Sequence, residues 1–191
     1  MNLKGKDFLT LMDFTKDEIL YLLDFAQEIK KDTKSGHFLH NLQNKNLALI
    51  FSKPSLRTRV SFEIGMRQLG GNSLTLKQDE INLGVRETIA DTARVLSRYV
   101  DCVMIRTFAH KDVEEFAKYA TVPTINGLTD DCHPCQIMAD LLTIKEHFSK
   151  LEGLKLNYVG DGNNVANSLL AGCVLVGMDI TISCRKGYEP M

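Results

Sequence analysis

The sequence has no tryptophan, only four prolines and no long apolar run. A membrane-spanning helix needs about 20 consecutive apolar residues, so no membrane segment is predicted, and no hydrophobic signal region follows the amino terminus. Net charge is also nearly absent, at −1 from 23 basic and 24 acidic residues. A surface this balanced does not attract nucleic acid or anionic lipid as a whole. These absences predict a cytoplasmic protein without nucleic-acid or membrane partners.

Cysteine is scarce, and its five copies, an odd number, argue against a disulfide framework. Cys132 and Cys135 form a C-x-x-C pattern at a predicted helix start, as in thioredoxin-like redox sites. A zinc site would need a second ligand pair, which the sequence does not offer at usable spacing. No metal is therefore predicted, and a redox site stays open as an alternative.

The 191 residues, 44% hydrophobic and 25% charged, are typical of a globular protein. Strand and helix patterns alternate from Leu47 onward, which predicts an α/β fold with a parallel sheet and helices on both faces. A break at 150–153 separates a first domain, 1–149, from a second, 150–191. The second contains one βαβ unit of a doubly wound domain. Roughly forty residues cannot easily cover both faces of a parallel sheet, so we expect this second domain to be incomplete.

The segment from 47 to 59 indicates an anion site. The apolar run LALIF predicts a buried strand, Pro54 fixes an extended turn, and Ser55 is a good helix N-cap. The first helical turn then carries Arg57, Thr58 and Arg59. Free backbone N–H groups, the helix dipole and guanidinium groups all favour a phosphate there. The alternative to an anion site is an ordinary capped helix whose two arginines lie on the surface.

Two further segments end at the same predicted sheet edge. Arg106 directly follows an apolar strand at 102–105, and the HPCQ motif at 133–136 follows a strand at 122–126. Pro134 suits the first position of a helix, so His133 and Gln136 lie at a helix N-terminus. Open α/β sheets bind ligands at the carboxyl ends of their strands. Asp140, one turn further on, is predicted to orient a neighbour.

The turn GDGNN at 160–164 resembles part of a dinucleotide fingerprint. Val165 replaces its third glycine, and no acidic residue ends the next strand, so nicotinamide binding is disfavoured. The turn instead offers Asp161 and two asparagines to the charged groups of an amino acid. An asparagine-rich turn that only caps the next helix is the alternative.

Together these motifs resemble the aspartate/ornithine carbamoyltransferase family, most closely its ornithine-specific members. Four groups of residues carry the resemblance: SLRTR at 55–59 with SFE at 61–63, DTARVL at 91–96, HPCQ at 133–136 with ADL at 139–141, and GDGNN at 160–164. Their order and spacing span nearly the whole chain. The aspartate-specific relatives lack the GDGNN turn, which therefore favours ornithine.

The resemblance implies a role for each matching residue. The phosphate of carbamoyl phosphate would be held by Ser55, the backbone of Leu56, Arg57 and Thr58. The carbonyl oxygen and bridging region would be reached by Arg106 and His133, and the amide nitrogen by Gln136, in a binding segment that includes Pro134 and Cys135. Asn82 stands where many bacterial members have a glutamine that touches carbamoyl phosphate, and Asn164 would contact ornithine. The catalytic residues would be Arg57, Arg106 and His133.

The implied reaction transfers a carbamoyl group to the δ-amine of ornithine in arginine metabolism, within a homotrimer and without metal or cofactor. The sequence ends before the family's later Ser-Met-Gly and His-Cys-Leu-Pro motifs, and Cys135 does not take the role of that later cysteine. We therefore expect a complete carbamoyl-phosphate domain and the start of an ornithine domain. Transfer to another amine, and a non-catalytic module that binds carbamoyl phosphate, are the alternatives.

Overall fold

Four strands form the larger of two sheets in the computed structural model, which describes residues 1–191. They are β1 (Asn46–Phe51), β2 (Asn72–Lys77), β3 (Cys102–Arg106) and β4 (Thr124–Leu128). The spatial order is β2-β1-β3-β4, and every pair is parallel. The chain passes from β1 to β2 on one side of the sheet and then returns to β3 on the other side of β1. The strand order therefore reverses between β1 and β3. Open α/β sheets bind ligands at the carboxyl ends of the strands that flank such a reversal.

Seven α-helices connect or flank the strands. They are α1 (Lys16–Lys34), α2 (Leu56–Gln68), α3 (Gln78–Ile81), α4 (Ile89–Leu96), α5 (His110–Tyr119), α6 (Pro134–Phe148) and α7 (Asn164–Val176). The sequence predicts a charged loop over 77–87. This prediction is wrong for residues 78–81, which form the helical turn α3. Glu80 causes the difference, because its carboxylate accepts the backbone N–H of Lys77 and stabilises one helical turn. None of the helices is both long and apolar enough to cross a bilayer.

The larger sheet is covered on both faces, as the alternation of strands and helices predicts. On one face, Ala48 and Ile50 of β1 belong to a core with Phe116 of α5. On the other face, Leu49 belongs to a core that contacts Phe62 of α2. An apolar run without polar alternation forms a strand buried from both sides. The predicted fold class is confirmed.

The smaller sheet pairs β5 (Lys155–Val159) with β6 (Asp179–Ser183) in parallel, and α7 crosses between them. This is the predicted βαβ unit. Buried side chains of α7, among them Leu169, share one core with Ile137 and Leu141 of α6. That common core holds α7 against the helix that begins at His133.

Candidate active site

A cleft of about 630 Å³ lies at the carboxyl edge of the larger sheet. Seven of the residues predicted for the site line it: Ser55, Arg57, Thr58, Arg106, His133, Cys135 and Gln136. They come from three segments that are far apart in sequence and lie at or after the carboxyl ends of β1, β3 and β4. The parallel order of the strands brings these segments to one place.

One wall of the cleft is the N-terminus of α2. Ser55 has extended backbone, and its hydroxyl accepts the N–H of Thr58 at 3.3 Å, which caps the helix. Arg57 faces the cleft, whereas Arg59 turns aside and donates to Glu63 at 2.8 Å. Of the two arginines in the first turn, only Arg57 is therefore available to a ligand in the cleft.

Arg106 forms the floor between the two strand ends. It lies beside Phe51 in the register of β1 and β3, and its carbonyl accepts the N–H of Ser52 at 2.8 Å. Its Nη1 is 3.5 Å from the hydroxyl of Thr58, while its Nε is buried without a hydrogen-bond partner. Burial, and then the charge of Arg57, lower the pKa of Arg106. An anion in the cleft would offset both the cost of burying the charge of Arg106 and its repulsion by Arg57.

His133 stands opposite, as the residue that precedes the first turn of α6. Its backbone N–H donates to the hydroxyl of Ser168 at 2.8 Å, and its Nδ1 is buried without a partner. Burial, and then the charge of Arg106, lower the pKa of His133 to about 4. The imidazole is therefore neutral at pH 7 and carries one N–H that can donate to a ligand.

The rest of this segment is held within α6. Pro134 occupies the first turn and is buried. The side-chain amide of Gln136 donates to Asp140 at 2.9 Å. Asp140 thus orients a neighbour, which is the role predicted for it.

The cleft contains cations without matching anions. Arg59 and Arg94 form salt bridges, but Arg57 and Arg106 form none. The only carboxylate that lines the cleft belongs to Asp140, which already accepts from Gln136. The local field is positive although the chain as a whole is close to neutral.

Four of the predicted residues do not line the cleft: Leu56, Asn82, Pro134 and Asn164. Leu56 and Asn82 line a neighbouring pocket of about 690 Å³, which shares Ser55 with the cleft. The side chain of Leu56 is exposed, so any contribution to the cleft comes from its backbone. Asn82 ends α3 with left-handed backbone and does not meet Arg106 or His133 in this chain.

Asn164 begins α7 and reaches back to the segment that follows β4. Its side-chain nitrogen donates to the carbonyl of Thr129 at 2.7 Å. It does not line the cleft, although the next residue, Val165, does. Ser168 was not predicted from the sequence, and its hydroxyl accepts the backbone N–H of His133. The signal for it was the spacing of four residues from Asn164, which places both on one face of a helix.

The two cysteines of the C-x-x-C pattern are held as thiols. Burial raises the pKa of Cys135 to about 12, and burial also raises the pKa of Cys132. Cys135 donates to the carbonyl of Asn126, whose side-chain nitrogen contacts the sulfur of Cys132 at 3.2 Å. Thiol–disulfide exchange needs a thiolate, so this environment disfavours the redox alternative. No three His, Cys, Asp or Glu side chains come together as a group of metal ligands.

Two domain models of one protein family match this chain. The model of the carbamoyl-phosphate-binding domain of aspartate and ornithine carbamoyltransferases matches residues 6–146. The chain belongs to the aspartate/ornithine carbamoyltransferase family. The model of the family's Asp/Orn-binding domain matches residues 152–191. The family resemblance drawn from the four sequence motifs is confirmed.

Individual members of the carbamoyltransferase family are close in sequence and structure. The ornithine carbamoyltransferases of Anoxybacillus flavithermus and Bacillus subtilis are 60% and 57% identical to this chain, over 100% and 98% of its length. The structure of ornithine carbamoyltransferase from Pyrococcus furiosus superposes with a TM-score of 0.99 at 52% identity, covering all of this chain and 61% of that one. The chain spans about 60% of the length of the curated relatives it matches.

Proposed function

We propose that this chain provides the carbamoyl-phosphate site of an ornithine carbamoyltransferase. The whole enzyme would transfer the carbamoyl group of carbamoyl phosphate to the δ-amine of L-ornithine, giving citrulline and phosphate. One observation carries the proposal: Arg57, Arg106 and a neutral His133 line one cleft, and neither arginine has a carboxylate partner. The names of the close relatives support the choice of ornithine as acceptor.

The phosphate end of the substrate fits the N-terminus of α2. The free N–H groups of the first turn, the hydroxyls of Ser55 and Thr58 and the guanidinium of Arg57 all offer donors there. A helix N-terminus combines such donors with a favourable dipole. These groups would bind the phosphate and stabilise it again when it departs with negative charge.

The carbonyl end fits between Arg106 and His133. Attack by the neutral δ-amine on the carbonyl carbon forms the new C–N bond and places negative charge on the carbonyl oxygen. Arg106 and the N–H of His133 are donors that would stabilise this oxyanion, because preorganised donors act where charge develops. The C–O bond to phosphate then breaks, and the departing phosphate takes the electron pair of that bond and the proton that the amine nitrogen loses. Gln136 would contact the carbamoyl nitrogen.

We propose on the same basis that the chain comprises one domain and the beginning of a second. Residues 1–149 would form the carbamoyl-phosphate domain and residues 150–191 the beginning of the ornithine domain. The limits of the two family models, 6–146 and 152–191, support this division. Asn164 would contribute to the ornithine side of the cleft, and Asn82 to carbamoyl-phosphate binding. The whole enzyme would be a cytoplasmic homotrimer of arginine metabolism.

The test measures two quantities on the 191-residue chain: its affinity for carbamoyl phosphate, and its rate of citrulline formation with ornithine present. Arg57→Ala should weaken binding by about a hundredfold or more, because charge-assisted hydrogen bonds to phosphate are lost. Arg67→Ala is the matched control. It removes the same charge from the same helix, and Arg67 does not line the cleft.

The two measurements separate the competing functions. Binding without citrulline formation would favour the non-catalytic module for this chain. An Arg57→Ala variant with unchanged affinity would remove the central assignment of the phosphate site.

A further inference from the structure

One face of α7 holds the segment that carries His133. Residues 164, 167 and 168 lie on the same side of the helix, because positions three and four apart are neighbours. The three contacts are Asn164 Nδ2 to Thr129 O at 2.7 Å, Asn167 Nδ2 to Asp131 O at 2.9 Å and His133 N to Ser168 Oγ at 2.8 Å. Every second residue from 129 to 133 is therefore bound to α7.

The contact with Ser168 differs from the other two because it reaches His133 itself. His133 precedes the first turn of α6, and its backbone N–H finds its acceptor outside that helix. Ser168 is 4% exposed, which protects this hydrogen bond from competition with water. It is the one hydrogen bond that joins His133 to a residue outside α6.

The imidazole ring has no hydrogen bond of its own to hold it. Its Nδ1 is buried and unpartnered. The position of the ring relative to Arg106 therefore depends on where the backbone of His133 is fixed and on the packing around it. A donor must lie within a few tenths of an ångström of its productive place to stabilise developing charge.

We propose that Ser168 is a positioning residue for His133, whose hydroxyl fixes the imidazole at the carbonyl end of the cleft. The inference rests on the proposed function in taking carbamoyl phosphate as the ligand. The phosphate end would lie against α2, and the hydroxyl of Ser168 bonds instead to the backbone of His133. Loss of the hydroxyl should therefore impair recognition of the carbamoyl group and spare recognition of the phosphate group.

The experiment compares Ser168→Ala with Ser97→Ala by calorimetric titration with carbamoyl phosphate and with inorganic phosphate. Ser97 is a matched control, because its hydroxyl also accepts a backbone N–H, that of Thr121 at 3.0 Å, and it does not line the cleft. Ser168→Ala should weaken carbamoyl-phosphate binding about tenfold and change phosphate binding less than about twofold. Ser97→Ala should change neither affinity. Ser168→Cys, a weaker acceptor of similar size, should give an intermediate loss.

A second measurement decides the role of Ser168 without any ligand. The ring NMR signals of His133 should move in Ser168→Ala and stay in place in Ser97→Ala. Unmoved His133 signals, or equal losses of affinity for both ligands, would overturn the inference. If the unaltered chain fails to bind carbamoyl phosphate, the proposed function is wrong, and the NMR comparison still decides whether Ser168 positions His133.

Discussion

Polar side chains gather both at the carboxyl edge of the larger sheet and at the turn before α7. The two regions differ in whether these side chains have hydrogen-bond partners within the protein. At the sheet edge, Arg106 Nε and His133 Nδ1 are buried and have no partner within the protein. At the turn, Asn163 accepts two N–H groups of α7, and Asn164 donates to the carbonyl of Thr129. The first region keeps its donors for a ligand, and the second uses its polar groups to hold the fold.

The difference has an energetic meaning. A buried polar group without a partner costs about 1–3 kcal/mol, so the sheet edge lowers the stability of the ligand-free chain. A capping asparagine instead stabilises a helix by about 1 kcal/mol. Substitutions in the two regions should therefore have opposite signatures. Changes at the sheet edge should weaken carbamoyl-phosphate binding without lowering stability, and changes at the turn should lower stability without weakening carbamoyl-phosphate binding.

The largest effect is expected from Arg106→Met. Methionine fills a similar volume without a charge, so the variant should lose affinity for carbamoyl phosphate by about a hundredfold or more. Its thermal unfolding midpoint should stay equal or rise, because an unpaired, partly buried charge near Arg57 is removed. Calorimetric titration and thermal unfolding measure the two quantities.

Arg67→Met serves as the control for this change. Arg67 is exposed on α2 and does not line the cleft, so both the affinity and the unfolding midpoint should stay near those of the unaltered chain. A clear drop in the midpoint of Arg106→Met would contradict the comparison. It would mean that Arg106 stabilises the fold without a ligand.

A second prediction concerns the protonation of His133. NMR titration of its ring should give a midpoint near pH 4, because burial and the charge of Arg106 disfavour the imidazolium. An unfolded histidine takes up its proton near pH 6.5. Between these values the unfolded state binds more protons, so stability should fall as the pH falls from about 6.5 towards 4.

The variant His133→Gln isolates this contribution. It cannot titrate, so the stability of the variant should depend less on pH in that window than the stability of the unaltered chain. Urea unfolding at several pH values provides the comparison. A midpoint near 6.5 for His133 would show that the ring is not desolvated, and the sheet edge would then lose one of its two unsatisfied groups.

Much of the sheet edge could be predicted from the sequence, because each part has a local signal. The apolar run at 47–51, the helix start after Ser55 and the position of Arg106 at the end of a strand are all local patterns. Parallel strands then bring their carboxyl ends to one edge. These rules place Arg57, Arg106 and His133 together without knowledge of the structure.

The contacts of α7 could not be predicted in the same way. The hydroxyl of Ser168 and the N–H of His133 are 35 residues apart, and they meet only because α6 and α7 share a core. The position of Asn82 outside the cleft could not be predicted from the sequence either, because it depends on how α3 folds after β2. The spacing of Asn164 and Ser168 shows that they share one face of a helix, but the residues that this face contacts follow from tertiary packing and leave no local pattern in the sequence.

The smallest effect is expected at the turn, from Asn163→Ala. The side chain of Asn163 accepts the N–H groups of Val165 at 2.9 Å and Ala166 at 3.1 Å, so its loss should lower the free energy of unfolding by about 1 kcal/mol. Asn163→Asp keeps the acceptor and adds a charge that a helix N-terminus favours, so it should recover this stability. Urea unfolding measures both variants, and carbamoyl-phosphate affinity should stay within about twofold in each, because the cap does not reach the cleft. A large loss of affinity in Asn163→Ala with unchanged stability would reverse the assignment, because Asn163 would then belong with Arg106 among the groups that are kept for a ligand.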